Sequence, residues 1–139
     1  MVEEEKMKCV PIAGCVVKKG EKYLVAKRAR GEHRAGLWEF PTGRMENGEK
    51  ALDAAKRELW EETGLKPSKI SFFGIHERFD GKNKEVYKPI FIFLVKPKNK
   101  TVKLSHEHEE YDWLTPKELL KKNVGVDTRY FIKNYLLGG

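Results

Sequence analysis

A chain of 139 residues, 40% hydrophobic and 11% aromatic, has material for a single domain around one real core. A net charge of +7 suits an anionic partner, either a nucleic acid or a small phosphorylated molecule. No apolar run approaches the about 20 residues of a membrane span, the acidic start Met1–Lys6 is unlike a secretory signal, and two cysteines cannot make a disulfide framework, so the expected location is the cytoplasm.

Residues 8–18 are rich in β-formers and stop at Lys19-Gly20, and a second strand follows over Lys22–Arg28, so the two read as a hairpin. Cys9 and Cys15 lie six residues apart on that first strand. They share a face, point away together, and are expected as two buried free thiols. Residues 29–37 form a charged loop with two glycines. Trp38–Phe40 is a short strand stopped by Pro41. Residues 49–63 make the clearest helix, dominated by Ala, Leu, Glu, Lys and Arg, with Gly64 where a left-handed cap belongs. Leu52, Ala55 and Leu59 mark its core side.

Two strands come next, Ile70–Glu77 and Val86–Val95, joined by a turn at Asp80–Asn83. The lysines of Lys96–Lys100 read as a solvated hairpin turn. Glu110–Leu114 is a last short strand. Thr115-Pro116-Lys117-Glu118 has the chemistry of a capping box, opening a helix to about Lys122. Asp127 is placed to cap a final helix over 128–137 that turns Tyr130, Phe131 and Tyr135 inward. This order of elements predicts an α/β (α+β) fold, a sandwich of helices around a mixed sheet, as one domain over 1–139.

The chemistry concentrates on the 49–63 helix. At 3.6 residues per turn, Glu58, Glu61 and Glu62 fall within an arc of roughly 100°. Like charges at that spacing repel and give the helix nothing. A hard divalent cation bound through oxygen would cancel the repulsion. Leu52, Ala55 and Leu59 occupy the adjoining arc, so the carboxylates sit at the core's edge and Glu62 is the most buried. Ahead of the helix, the loop 41–49 carries Gly43 and Gly48, which permit tight backbone turns beside a pyrophosphate.

The stretch Gly43-x5-Glu49-x7-Arg57-Glu58-Leu59-x-Glu61-Glu62-x-Gly64-Leu65 resembles the complete box of the Nudix hydrolases, with nine constrained positions matched over 23 residues. Leu37-Trp38-Glu39-Phe40-Pro41 is similar to the lead-in of MutT-like members, and the flanking elements fit as well. Where many relatives have Gly-Gly, this chain has Thr42-Gly43.

The resemblance implies a Nudix α/β/α sandwich and hydrolysis of a phosphoanhydride with Mg²⁺ or Mn²⁺. It implies Glu58, Glu61 and Glu62 as metal ligands, with one of the box glutamates doubling as general base, the Thr42 carbonyl as a further ligand candidate, and Glu107 as a further glutamate that serves as ligand or base. Glu107 lies six residues before Trp113, as in diadenosine tetraphosphate hydrolases and RNA pyrophosphohydrolases. Glu58 is the usual general base in MutT-like members, and Arg57 orients a glutamate by pairing with Glu49.

For substrate, Arg28 and Arg44 are candidate phosphate contacts, and Trp38 and Phe40 candidate base-stacking rings, with Phe79 and Tyr87 behind them. His106 and His108 lack the spacing of a zinc site. The implied partner is a small nucleotide. A nucleoside triphosphate, canonical or oxidised, stands first, and dinucleoside polyphosphates, an RNA 5′ end and ADP-ribose stay open. A sensor without hydrolysis is the rival class, and the retained Glu49, Glu58, Glu61 and Glu62 argue against it.

Overall fold

The structure, a computed structural model, describes residues 6–137. The acidic stretch 1–5, which carried the expectation of no secretory signal, and residues 138–139 lie outside the described residues.

The first expected strand is two. Pro11 has no amide hydrogen to give a ladder, and the chain breaks there into β1 (Lys8–Cys9) and β2 (Ile12–Lys19). Both pieces keep one register on β7, so Cys9 keeps its parity with Cys15, but it lies outside the core that α1 covers and is exposed, not buried as expected, while Cys15 is buried on β2. Burial pushes the Cys15 thiol up to about 12, which leaves it inert.

The strand β2 is the centre of the molecule. It runs parallel to β7 (Val86–Pro97) from Ile12 to Val17, and antiparallel to β5 (Thr42–Arg44) at Ile12, Ala13 and Gly14. Its far end makes the expected hairpin with β3 (Lys22–Arg28), which pairs in turn with β4 (Trp38–Glu39) and β8 (His108–Leu114). On the other flank, β6 (Pro67–Asp80) runs antiparallel to β7 and is longer at both ends than the sequence suggested. β5 was read as loop, since three residues carry too little periodicity to show a strand.

Alternation along β2 builds the layers. Ala13, Cys15 and Val17 pack with Ala54, Ala55 and Leu59 of α1 (Ala51–Thr63). Val16 faces the opposite core, with Ile90, Ile92, Phe131 and Ile132. One helix on one face and the C-terminal helices on the other give the expected α/β/α sandwich around a mixed sheet. Each fully buried Leu, Ile or Phe contributes about 1.5–3 kcal/mol to it.

Gly64 closes α1 in the left-handed region (φ 69°), and its N–H donates to the Trp60 carbonyl at 2.9 Å. The buried stripe is Ala54, Ala55, Leu59, Glu62 and Thr63. Leu52, expected on the core side, is exposed, because it sits one turn early and off the centre of that stripe.

At the C-terminal end, α2 (Pro116–Leu120) carries the expected capping box, Thr115 Oγ1 accepting from the Glu118 N–H and Glu118 from the Thr115 N–H. The last helix, α3 (Val126–Phe131), starts from Gly125. Asp127 does not cap it, because Arg78 holds its carboxylate at 3.0 Å. The chain then widens into a π-helical turn over Ile132–Leu136, with the Leu137 N–H donating to the Ile132 carbonyl. Phe131 is buried there, and Tyr130 and Tyr135 pack partly buried against the same core.

The lysine-rich stretch after β7 is not a hairpin turn. It crosses the C-terminal end of α1, where Asn99 accepts from the Lys66 N–H and donates to the Gly64 carbonyl. The Lys103 N–H then donates to the Thr63 carbonyl at 2.8 Å, and the Ser105 N–H to the Glu62 carbonyl at 3.4 Å. These bonds deliver Glu107 and His108 to the buried carboxylate of the helix. Among the described residues, no helix is long and apolar enough to cross a membrane.

Candidate active site

A cavity of about 540 Å³ opens between β5, the N-terminal end of β8 and the C-terminal ends of β6 and α1. Glu58, Glu62 and Glu107 line one part of it, with Thr42, Gly43 and Arg44 beside them. Arg78, Asp80, Lys88 and Asp127 line another, and Phe40, Ile90, Ile92 and Phe131 supply apolar wall.

The box residues divide by their angle around α1. Glu62 lies near the middle of the buried stripe and is 4% exposed. Burial, with Glu58 and Glu39 adding like charge, pushes its carboxyl well above the ordinary carboxylate range, and its Oε2 has no hydrogen-bond partner. Burial also raises Glu58, though a 2.8 Å bond from Arg57 opposes it. Glu61 points outward, is about half exposed, and pairs with Arg57 at 3.1 Å. The described lining of the cavity takes in Glu58, Glu62 and Glu107 but not Glu61.

Arg57 organises the loop. Its guanidinium donates to both carboxylate oxygens of Glu49 and to the Arg44 carbonyl at 3.0 Å, so the expected Arg57–Glu49 pairing is present. The Glu46 N–H adds a bond to Glu49 at 2.9 Å, and the Glu49 carboxyl falls to about 2, chiefly through Arg57. Because its folded value is lowered, Glu49 contributes stability above the ordinary 4.5, lost as pH falls through about 2. Wild type and Glu49→Gln should therefore differ fully in denaturant midpoint at pH 6 and converge toward pH 2; a constant difference would mean that Glu49 acts through packing.

Gly43 serves closeness of approach and not a turn. A Cβ there would overlap the Glu58 carboxylate. The glycine that supplies a turn is Gly48, at φ 75°.

Beyond the box, Glu39 and His108 form a buried pair that the sequence did not single out. Their Oε1 and Nε2 lie 2.9 Å apart, and Arg28 Nη1 donates to the same Oε1 at 3.0 Å. Burial opposes ionisation of Glu39, but bonds from His108 and Arg28 outweigh it and hold its carboxyl below the ordinary value. An ionised carboxylate only accepts, so His108 Nε2 carries the hydrogen. Its Nδ1 is buried without a partner.

Several substrate candidates change role. Arg28 lines the cavity, but its Nε is committed to the His33 carbonyl at 2.6 Å and its Nη1 to Glu39. It holds Glu39 and has little left for phosphate. Arg44 lines the cavity and makes no side-chain hydrogen bond or ion pair among the described residues, so its guanidinium is uncommitted. Trp38 is buried in the core under Lys122 and outside the described cavity lining, so it cannot stack a base. Phe40 lines the cavity but is 1% exposed, which gives wall and little stacking face. Phe79 and Tyr87 pack on each other, away from the cavity.

The sequence reading also missed Arg78, Asp80 and Lys88. The signal was there: Arg78 and Asp80 share one face of β6, and Lys88 shares a face of β7 with buried Ile90 and Ile92. Charges on a face that is otherwise apolar mark a polar site in a core.

The carboxylate part fits a hard divalent cation. One oxygen each from Glu62 and Glu107 and a ring nitrogen of His108 lie within 4.8 Å of one another. Two of the three residues have a buried polar atom without a partner, and a cation would satisfy both.

Comparison with known proteins agrees with this geometry. The model of the NUDIX domain matches residues 9–135. The chain is 29% identical over 115 residues to the CTP pyrophosphohydrolase of Escherichia coli, covering 83% of this chain and 82% of that protein. It is 32% identical over 117 residues to the nucleoside triphosphatase NudI of Shigella sonnei, covering 77% and 82%. The crystal structure of a MutT NUDIX hydrolase from Burkholderia pseudomallei superposes with a TM-score of 0.80 at 21% identity, covering 92% of this chain and 98% of that one.

The chain belongs to the NUDIX domain family. It is an enzyme of that family, a pyrophosphohydrolase that cuts phosphoanhydride bonds.

Proposed function

We propose that the protein is a Mg²⁺-dependent, MutT-like nucleoside triphosphate pyrophosphohydrolase that releases a nucleoside monophosphate and pyrophosphate. The observation that carries this reading is one cavity of about 540 Å³ that joins Glu58, Glu62 and Glu107 to a charged, apolar-walled recess. Relatives named for CTP and for nucleoside triphosphates support that substrate class.

In this reading Glu62, Glu107 and Glu58 hold Mg²⁺ or Mn²⁺ through oxygen, with the Thr42 carbonyl at the edge of the set. Bound there, the cation neutralises the phosphate charges that repel an attacking water and makes that water more acidic. Glu58, with its raised affinity for a proton, accepts the water's hydrogen as oxygen attacks phosphorus. The anhydride bond breaks and its electrons leave on the pyrophosphate oxygen. Arg57 keeps Glu58 in place, Glu61 takes part through Arg57 from the rim, and Arg44 faces the outgoing phosphates. Arg78, Asp80, Lys88 and Asp127 offer both donors and acceptors to a base or ribose.

A substrate panel tests the assignment: canonical and oxidised nucleoside triphosphates, diadenosine polyphosphates, ADP-ribose and 5′-triphosphorylated RNA, ranked by kcat/KM. A nucleoside triphosphate should lead by about tenfold or more. Preference for a dinucleotide or an RNA end would move the enzyme to the neighbouring subclass.

A further inference from the structure

We infer that His108 Nδ1 is a nitrogen ligand of the catalytic cation, making this a mixed nitrogen–oxygen site that favours Mn²⁺ over Mg²⁺. The inference rests on the reading of Glu62 and Glu107 as cation ligands and adds a residue and a metal preference to it.

Three observations carry it. His108 is 4% exposed, and its Nε2 faces Glu39, a carboxylate already anchored by Arg28. With a hydrogen of the ring directed from Nε2 to Glu39, Nδ1 is the nitrogen left to ligate, and that atom is buried with neither a donor nor an acceptor to meet it. His108 shares a cluster with Glu62, whose Oε2 is the other buried side-chain atom without a partner among the described residues, and a ring nitrogen of His108 and one oxygen each of Glu62 and Glu107 lie within 4.8 Å of one another.

A lone pair beside two carboxylates is repulsive by itself. A cation at bonds of about 2.0–2.3 Å holds neighbouring ligands about 3–3.7 Å apart, so the cluster closes by about an ångström on binding, a movement that small side-chain rotations supply. The outer partner is already in place, since metal-bound imidazoles regularly donate their second N–H to a carboxylate, as His108 does to Glu39. Imidazole suits transition metals and Mg²⁺ keeps to oxygen, so a nitrogen ligand turns the site away from Mg²⁺; Mn²⁺ is the transition metal that also suits carboxylates, which supply the rest of the set.

The tautomer argument separates this role from a packing role. A histidine kept only to tie β8 to Glu39 needs Nε2 alone. Burying Nδ1 without a partner then costs stability with nothing in return.

The test is pulsed electron paramagnetic resonance of Mn²⁺ bound to the intact protein. Wild type should show ¹⁴N coupling to Mn²⁺ that changes to ¹⁵N in protein labelled at histidine. The chain has four histidines, so the coupling should survive His33→Gln, His76→Gln and His106→Gln and vanish in His108→Gln. Glutamine can still donate to Glu39 from near the Nε2 position, so the same variant should weaken Mn²⁺ binding by about 10–100-fold and Mg²⁺ binding much less. Should His108→Gln not fold, the three other variants still assign the signal by elimination. Tight Mn²⁺ binding without nitrogen coupling would overturn the role of His108 while leaving the carboxylate site standing. Failure of wild type to bind either cation would overturn both.

Discussion

Glu62→Gln should lower kcat by about 10³-fold or more while making the cation-free protein more stable. The two effects share one cause. Glu62 is buried in the middle of the apolar stripe of α1, with Glu58 and Glu39 adding like charge and an oxygen left unpartnered. Its folded value is raised above 4.5, so the stability it offers is full below that value and is lost as pH rises through the folded one. At pH 8 wild type carries the cost of a buried charge that glutamine does not. Thermal unfolding with a chelator at pH 8 should give the variant the higher Tm, and acidification toward pH 5 should narrow the gap. Added Mg²⁺ should stabilise wild type selectively, because only wild type binds it well. The loss in rate follows from losing the cation, which supplies several kcal/mol at about 1.4 kcal/mol per factor of ten. A variant with near-normal kcat would show that Glu62 is a structural charge and that the cation sits elsewhere.

Gly43→Ala should cost about 100-fold in kcat with a much smaller loss of stability. Gly43 pairs with Ala13 in the ladder between β5 and β2, so its backbone is pinned. A methyl group there overlaps the Glu58 carboxylate, and the flexible side chain gives way before the sheet does. Glu58 would leave both the cavity and its 2.8 Å bond with Arg57. A displacement of about 1 Å in a reacting group is enough for a loss of that size. Kinetics with circular-dichroism melting would check it. Equal losses of stability and rate would point to a broken β5 instead of a displaced carboxylate.

Much of this molecule is written in local patterns. The capping box at Thr115 and Glu118 and the left-handed cap at Gly64 are short-range chemistry, and both are in place. So is the burial of Glu62, which followed from its angle around the helix. What local reading missed depends on partners far away in the chain. Asp127 had the right spacing for a cap, but Arg78 lies 49 residues away and takes its carboxylate. Parity put Cys9 with Cys15, and the register on β7 keeps it, but the core that α1 covers stops short of Cys9. Glu107 was named from its resemblance to relatives and not from local chemistry, and in the structure it joins Glu58 and Glu62 in the cavity lining through a crossover tied to α1. Glu39 and His108 are 69 residues apart, and only the pairing of β4 and β8 with β3 brings them together.

The measurement that bears most directly on the function is ³¹P NMR of a nucleoside triphosphate incubated with the protein and Mg²⁺, with a chelator control. The reading predicts signals of nucleoside monophosphate and pyrophosphate that grow together and stop when the cation is removed. Orthophosphate with a nucleoside diphosphate, or turnover indifferent to the chelator, would contradict it.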